Sequence, residues 1–258
     1  MYRAFNLTGD PWAGMSRASG DAIFSETRAT VKQSLESFLN GKIIDGTKLT
    51  GHWFPTIKAD VFISHSHKDE EEAIKCAGWL KSEFHLHPFI DSCVWGYADN
   101  LLKLIDNKYC LNPGGDTYSY EKRNGSTSHV HMMLSTALSA MLDATECVIF
   151  INTRNSITSS ESVDKTESPW LSFELATMRV IRRKTPHRQL GQIRNFANEE
   201  LDIMKASQFK AEYEVPLSEL TPLTGAQLVK WNENHQSTPR FNRKHALDLL
   251  YEIAPEQT

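Results

Sequence analysis

Glu174 and Trp170 stand four residues apart in the segment SPWLSFELATMRVIRR. On a helix that spacing puts both side chains on one face. A carboxylate beside an aromatic wall suits a flat aromatic ligand carrying a sugar. The ordinary alternative is a half-buried indole next to a solvated carboxylate, and the pair taken alone favours it. A second polar group, Ser64-His65-Ser66-His67, abruptly ends the apolar run Val61-Phe62-Ile63. A third, Asp91-Ser92-Cys93-Val94-Trp95-Gly96, follows the short run HPFI.

Other candidate chemistry is weaker. Three His-x-His pairs occur, His65/His67, His85/His87 and His129/His131, but no carboxylate or cysteine completes a familiar metal-ligand spacing, and no metal is expected. The four cysteines, Cys76, Cys93, Cys110 and Cys147, form no C-x-x-C and read as reduced thiols. Cys93 has no evident neighbouring base to activate it. Arg179, Arg182, Arg183, Lys184, His187 and Arg188 cluster after the Glu174 segment. A solvated helix end at the negative pole of the helix dipole accounts for them first, and a phosphate or protein contact second. Gly114-Gly115 lacks the context of a dinucleotide-binding turn, and neither a P-loop nor G-x-S-x-G is present.

The elements that must carry these residues alternate. The pattern predicts strands over 60–64, 87–91 and 146–152, and helices over 69–84, about 101–105 and 129–143. Ser168 and Pro169 mark the start of a further helix, as N-cap and first helical residue. Residues 112–128 read as a long polar insertion and 209–215 as an edge strand, while a fourth central strand cannot be placed between 188 and 202. Residues 1–20 read as irregular, followed by a helix over 22–39. Short helices are expected over 226–231 and 245–253. Strand–helix alternation implies a parallel sheet covered on both faces. Ligands of such sheets bind beyond the carboxyl ends of the strands, where the three polar groups converge.

Together the motifs resemble a known family. ADVFISHSHKDE is similar to the first signature box of Toll/interleukin-1 receptor (TIR) domains, FIDSCVWG to their second strand and following loop, and SPWLSFEL to their S-x-W-C-x-x-E-L segment, with Leu171 in place of Cys. The resemblance covers roughly residues 58–183. It implies an α/β, flavodoxin-like fold of strand order 2-1-3-4-5 with helices on both faces. It implies an N-terminal helical extension over 1–57, a TIR domain over 58–220 and a C-terminal helical extension over 221–258. In enzymatic members the helix glutamate cleaves the nicotinamide–ribose bond of NAD, which puts Glu174 in the catalytic role. Ile63, Ser64, His65, Asp91, Trp95, Gly96 and Trp170 would shape the substrate pocket. NAD would be substrate, with no separate cofactor. That bond breaks with positive charge developing on the ribose, which a fixed carboxylate stabilises.

The resemblance further implies a homo-oligomer assembled through the loop near Trp95, and a stand-alone bacterial protein of Thoeris-like antiphage defence that signals to a separate effector through an ADP-ribose-derived molecule. Two other readings stay open: a non-catalytic interaction module acting by self-association, and a nucleoside-sugar transferase on the same fold. The loop lacks the Arg-Asp and Pro-Gly of many animal members.

Composition sets outer limits. The chain has 258 residues, 40% apolar and 23% charged, enough for one sizeable core. A net charge of −4 argues against nucleic acid as a partner. No signal peptide and no membrane-length apolar run is visible, so a cytoplasmic protein without membrane contact is expected.

Overall fold

Residues 1–10, 12, 17–28, 35–40, 43–160, 163–186, 188 and 212–256 are described by the structure, a computed structural model. The strands are β1 (Arg3–Thr8), β2 (Leu39–Asn40), β3 (Ile43–Ile44), β4 (Val61–Ser64), β5 (Pro88–Ile90), β6 (Cys147–Ile151), β7 (Thr158–Ser160), β8 (Val163–Thr166), β9 (Tyr213–Glu214) and β10 (Thr221–Thr224). The helices are α1 (Ala18–Arg28), α2 (Gly46–Trp53), α3 (Glu70–Phe84), α4 (Ser92–Ile105), α5 (Tyr120–Ala144), α6 (Pro169–Val180), α7 (Gly225–Ser237) and α8 (Ala246–Ile253).

Five strands form a central parallel sheet in the order β10-β1-β6-β4-β5. One row of paired residues crosses it whole: Thr221, Phe5, Ile149, Ile63 and Ile90. Because side chains alternate along a strand, Val61 and Ile63 enter the core under α3, α7 and α8, while Phe62 enters the core under α2, α4, α5 and α6. Helices on both faces of a parallel sheet are consistent with a flavodoxin-like architecture. The β5-β4-β6 part follows the expected order. Beyond β6 the next positions belong to β1 and then β10.

That placement corrects the expected domain division. Residues 1–57 are not an extension, because β1 lies inside the sheet, and residues after 220 supply the edge strand β10. Arg3 locks the arrangement. Its guanidinium, 4% exposed, donates to the carbonyls of Ala254 (2.6 Å) and Tyr251 (3.2 Å) and to Thr221 Oγ1 (3.2 Å). It also lies over the Phe5 and Tyr251 rings. Asn6, the other polar residue pointing inward, accepts from Asn152 Nδ2 at 3.0 Å.

Residues 112–128 are not a loop throughout. Ser119 caps α5, which runs 25 residues from Tyr120. Its first turns are polar because they are mostly solvated, and Asp106 anchors them by accepting from Ser126 Oγ (2.5 Å) and Arg123 Nε (2.8 Å). Of the helix expected over 22–39, α1 supplies 18–28, residues 29–34 lie outside the described residues, and 35–38 form a 3-10 turn. The expected edge strand over 209–215 is reduced to β9, which joins β7 and β8 in a separate antiparallel sheet, with 209–211 outside the described residues. The interval searched for a fourth strand lies outside them also, apart from Arg188.

Helices α1 and α3 cross at glycines. A Cβ on Gly20 would stand 2.0 Å from the Ile74 carbonyl oxygen, and one on Gly78 would stand 2.8 Å from the Gly20 nitrogen. Among the described residues no helix is long and apolar enough to cross a membrane.

Candidate active site

The carboxyl ends of β4 and β5 face the middle of α6. Ser64 is the last residue of β4 and points to the same side as Phe62, towards α6. Helix α6 starts at a well-made cap, with the Ser168 hydroxyl accepting from the Leu171 N–H and Pro169 at the first position. The next turn carries Glu174 to the sheet. Ser64 Oγ donates to Glu174 Oε2 at 2.6 Å. One residue beyond β4 stands His65, and one beyond β5 stands Asp91, with His65 Nδ1 2.6 Å from Asp91 Oδ1. Ser64, His65, Asp91 and Glu174 are all fully buried.

Burial pushes the Glu174 carboxyl well above the usual carboxylate range, and the Asp91 charge adds to the rise, while the Ser64 hydrogen bond opposes both. Burial works against the His65 charge too, but the Asp91 charge and hydrogen bond outweigh it and raise the imidazole pKa. The environment therefore favours the acid form of Glu174 and the imidazolium form of His65 beside Asp91. Glu174 also shares a hydrogen bond with Asp91, which raises its pKa further, and Ser92 Oγ is buried with no hydrogen-bond partner among the described residues. A buried polar group left without a partner costs about 1–3 kcal/mol, and native structures keep few of them.

A second link braces the same edge. Asp69 accepts from Thr153 Oγ1 at 2.6 Å and from Asn155 Nδ2 at 2.7 Å, tying the turn after β4 to the turn after β6. Sequence reasoning missed this clamp, because Asp69 reads as the first residue of the acidic helix start. Here Asp69 makes no side-chain capping bond.

Of the residues expected in the pocket, Ser64, His65, Asp91 and Glu174 come together. Ile63 does not join them: its side chain is core on the opposite face of the sheet. Trp170 is half-buried one turn before Glu174, where its ring meets His131 of α5 edge-on at 5.4 Å. Residues 92–96 are not a loop, since their backbone forms the first turns of α4. Gly96 is therefore a helix residue, and the Trp95 side chain lies outside the described residues, as does that of Cys93.

No protein-family model matches the chain, and no curated protein or solved structure matches it.

Among the described residues no three His, Cys, Asp or Glu side chains come together in a metal-holding arrangement. Cys76, Cys110 and Cys147 are free and buried, and burial raises the thiol pKa of Cys76 and Cys147. Much of the basic cluster after α6 is tied internally: Arg179 pairs with Glu219, Lys184 with Asp143, and Arg188 with both Glu146 and Asp248.

Proposed function

We propose that the protein is a TIR-type NAD glycohydrolase or cyclase in which Glu174 is the catalytic carboxylate. The observation that carries this reading is the buried Glu174 carboxyl at the carboxyl edge of the sheet, held by the Ser64 hydroxyl and pushed towards its acid form by burial and by Asp91. NAD brings a cationic nicotinamide-ribose to such a carboxyl. A nearby positive charge favours ionisation, so substrate would convert the resting acid into the carboxylate that stabilises the oxocarbenium-like ribose. Water would capture that ribose to give ADP-ribose, or an internal nucleophile would give a cyclic product. Asp91 and His65 would hold their charges in place through this change. A cytoplasmic, antiphage, effector-linked setting and assembly through the Trp95 segment belong to the same proposal.

The complete burial of Glu174 favours a second reading: a non-catalytic interaction module in which the carboxyl only closes a polar cluster. Incubating the protein with NAD, with and without a crowding agent, separates the two by mass spectrometry. Free nicotinamide plus an ADP-ribose species, absent with Glu174→Gln, supports the enzyme. Intact NAD under both conditions supports the module.

A further inference from the structure

The opposite end of the sheet carries a cavity of about 870 Å³, within the range typical of small-molecule sites. It opens beside Asp60 and His87, which precede β4 and β5, whereas Ser64 and Asp91 follow those strands. At about 3.3 Å per residue, the length of β4 separates the two sites.

The lining is cationic. Lys58, Arg243 and Lys244 bring three positive charges, of which Lys244 also pairs with Glu252 and Arg243 donates its Nε–H to the Thr238 carbonyl at 3.0 Å, and four imidazoles, His85, His87, His235 and His245, surround them. The carboxylate on the lining, Asp60, is already engaged: its Oδ2 accepts from the His87 backbone N–H at 2.8 Å and lies 3.0 Å from His87 Nδ1. His235 is 4% exposed and packs against Phe84, and its Nδ1 is buried with no hydrogen-bond partner among the described residues. Burial, then the Arg243 and His85 charges, depress its pKa, so the ring stays neutral near pH 7. The Glu83 carbonyl takes the one N–H of the neutral ring, so Nδ1 is its acceptor nitrogen and can receive the hydroxyl of a singly protonated phosphate. Helix α8 begins at the same wall. His245 is its N-cap and makes no side-chain capping bond; its carbonyl takes the Asp248 N–H at 3.0 Å, so the N–H groups of Ala246 and Leu247 are the first-turn donors not spent within the helix. Histidines beside three cations repel a metal ion, and the described residues hold no metal-like cluster.

We propose that this cavity is a binding site for a small phosphate-bearing anion, held by Lys58, Arg243 and Lys244 with the start of α8 and the buried His235 ring. Guanidinium and ammonium groups with uncapped helix N–H groups are the donors that phosphate oxygens use. The site is separate from the Glu174 cluster and does not depend on NAD cleavage.

Calorimetric titration of the full chain with inorganic pyrophosphate tests it. Saturable binding is expected, weakened tenfold or more by the double change Arg243→Ala, Lys244→Ala and by Lys58→Glu. Lys58 and Lys244 are exposed, so unchanged thermal unfolding of Lys58→Glu shows that a loss belongs to the site. A titration with adenosine diphosphate runs alongside. Tighter binding than pyrophosphate adds a nucleoside to the ligand, and equal binding restricts it to the phosphates. No saturable binding of either, or binding that survives all three substitutions, overturns the proposal.

Discussion

Ser64 and Glu174 lie 110 positions apart and share a 2.6 Å hydrogen bond that no water reaches. The hydroxyl donates to the carboxyl, so it favours the ionised form against burial and against Asp91. The end of β4 thus tunes a group that α6 supplies.

Ser64→Ala removes the hydrogen bond that lowers the Glu174 pKa. If ionised Glu174 is the working form, the acidic limb of the NAD-cleavage pH profile moves to higher pH, and turnover falls most at low pH. A profile that keeps its shape and only scales down would contradict the role given to this bond.

Glu174→Gln is expected to stabilise the protein at alkaline pH. The folded-state pKa of Glu174 is raised above its ordinary value of 4.5. The folded state therefore holds the proton more tightly than the unfolded state, and stability declines as pH rises from about 4.5 through the folded value. Glutamine keeps the shape and a polar group without that decline. Thermal unfolding from pH 4 to pH 8 should show the variant gaining on the wild type as pH rises. A variant that melts lower at pH 8 would mean that glutamine cannot satisfy the site.

Gly20→Ala and Gly78→Ala should both destabilise. In an exposed helix, Gly→Ala gains about 1 kcal/mol from propensity. Here the nearest atom to each new methyl group would belong to the backbone, and overpacking of this kind costs typically about 1–3 kcal/mol. Gly20→Ala should be the worse, since its Cβ would stand 2.0 Å from a carbonyl oxygen. Denaturant unfolding that shows either variant more stable than wild type would contradict the close crossing of α1 and α3.

Phe5→Ala should cost about 3–5 kcal/mol, the loss expected for a large buried aromatic side chain. Phe5 is fully buried in a strand with neighbours on both edges. A loss below about 1 kcal/mol, typical of surface positions, would return residues 1–57 to the status of an extension.

Local signals made much of this fold readable. β4, β5, β6 and α3 declare themselves by short apolar runs and helical spacing, and α6 by Ser168 and Pro169. β1 did not, because Arg3 and Asn6 interrupt its apolar residues. Both are satisfied by distant partners, Ala254 lying 251 positions from Arg3. The polar start of α5 hid in the same way, since its anchor is Asp106 on another element. In the site, Ser64, His65, Asp91 and Glu174 were readable as a group, because strand ends and one helix face fix where they go. The contact between His65 and Asp91 depends on the register of β4 against β5, which alternation alone does not give. Helical spacing put Trp170 on the side of Glu174, but it could not say that the indole meets α5.

The position of β1 also sets an order of assembly. Its residues are made before the other four strands of the sheet, yet Phe5 pairs with Ile149 and Thr221. β4, α3 and β5 are close in sequence and can associate early, while β1 must wait for β6 and then for β10. Such non-local pairing is slow, and an unpaired strand edge invites association with other chains. A nascent chain halted before Thr221 would still carry that edge open, so a strand made ahead of its sheet neighbours is the last to be enclosed.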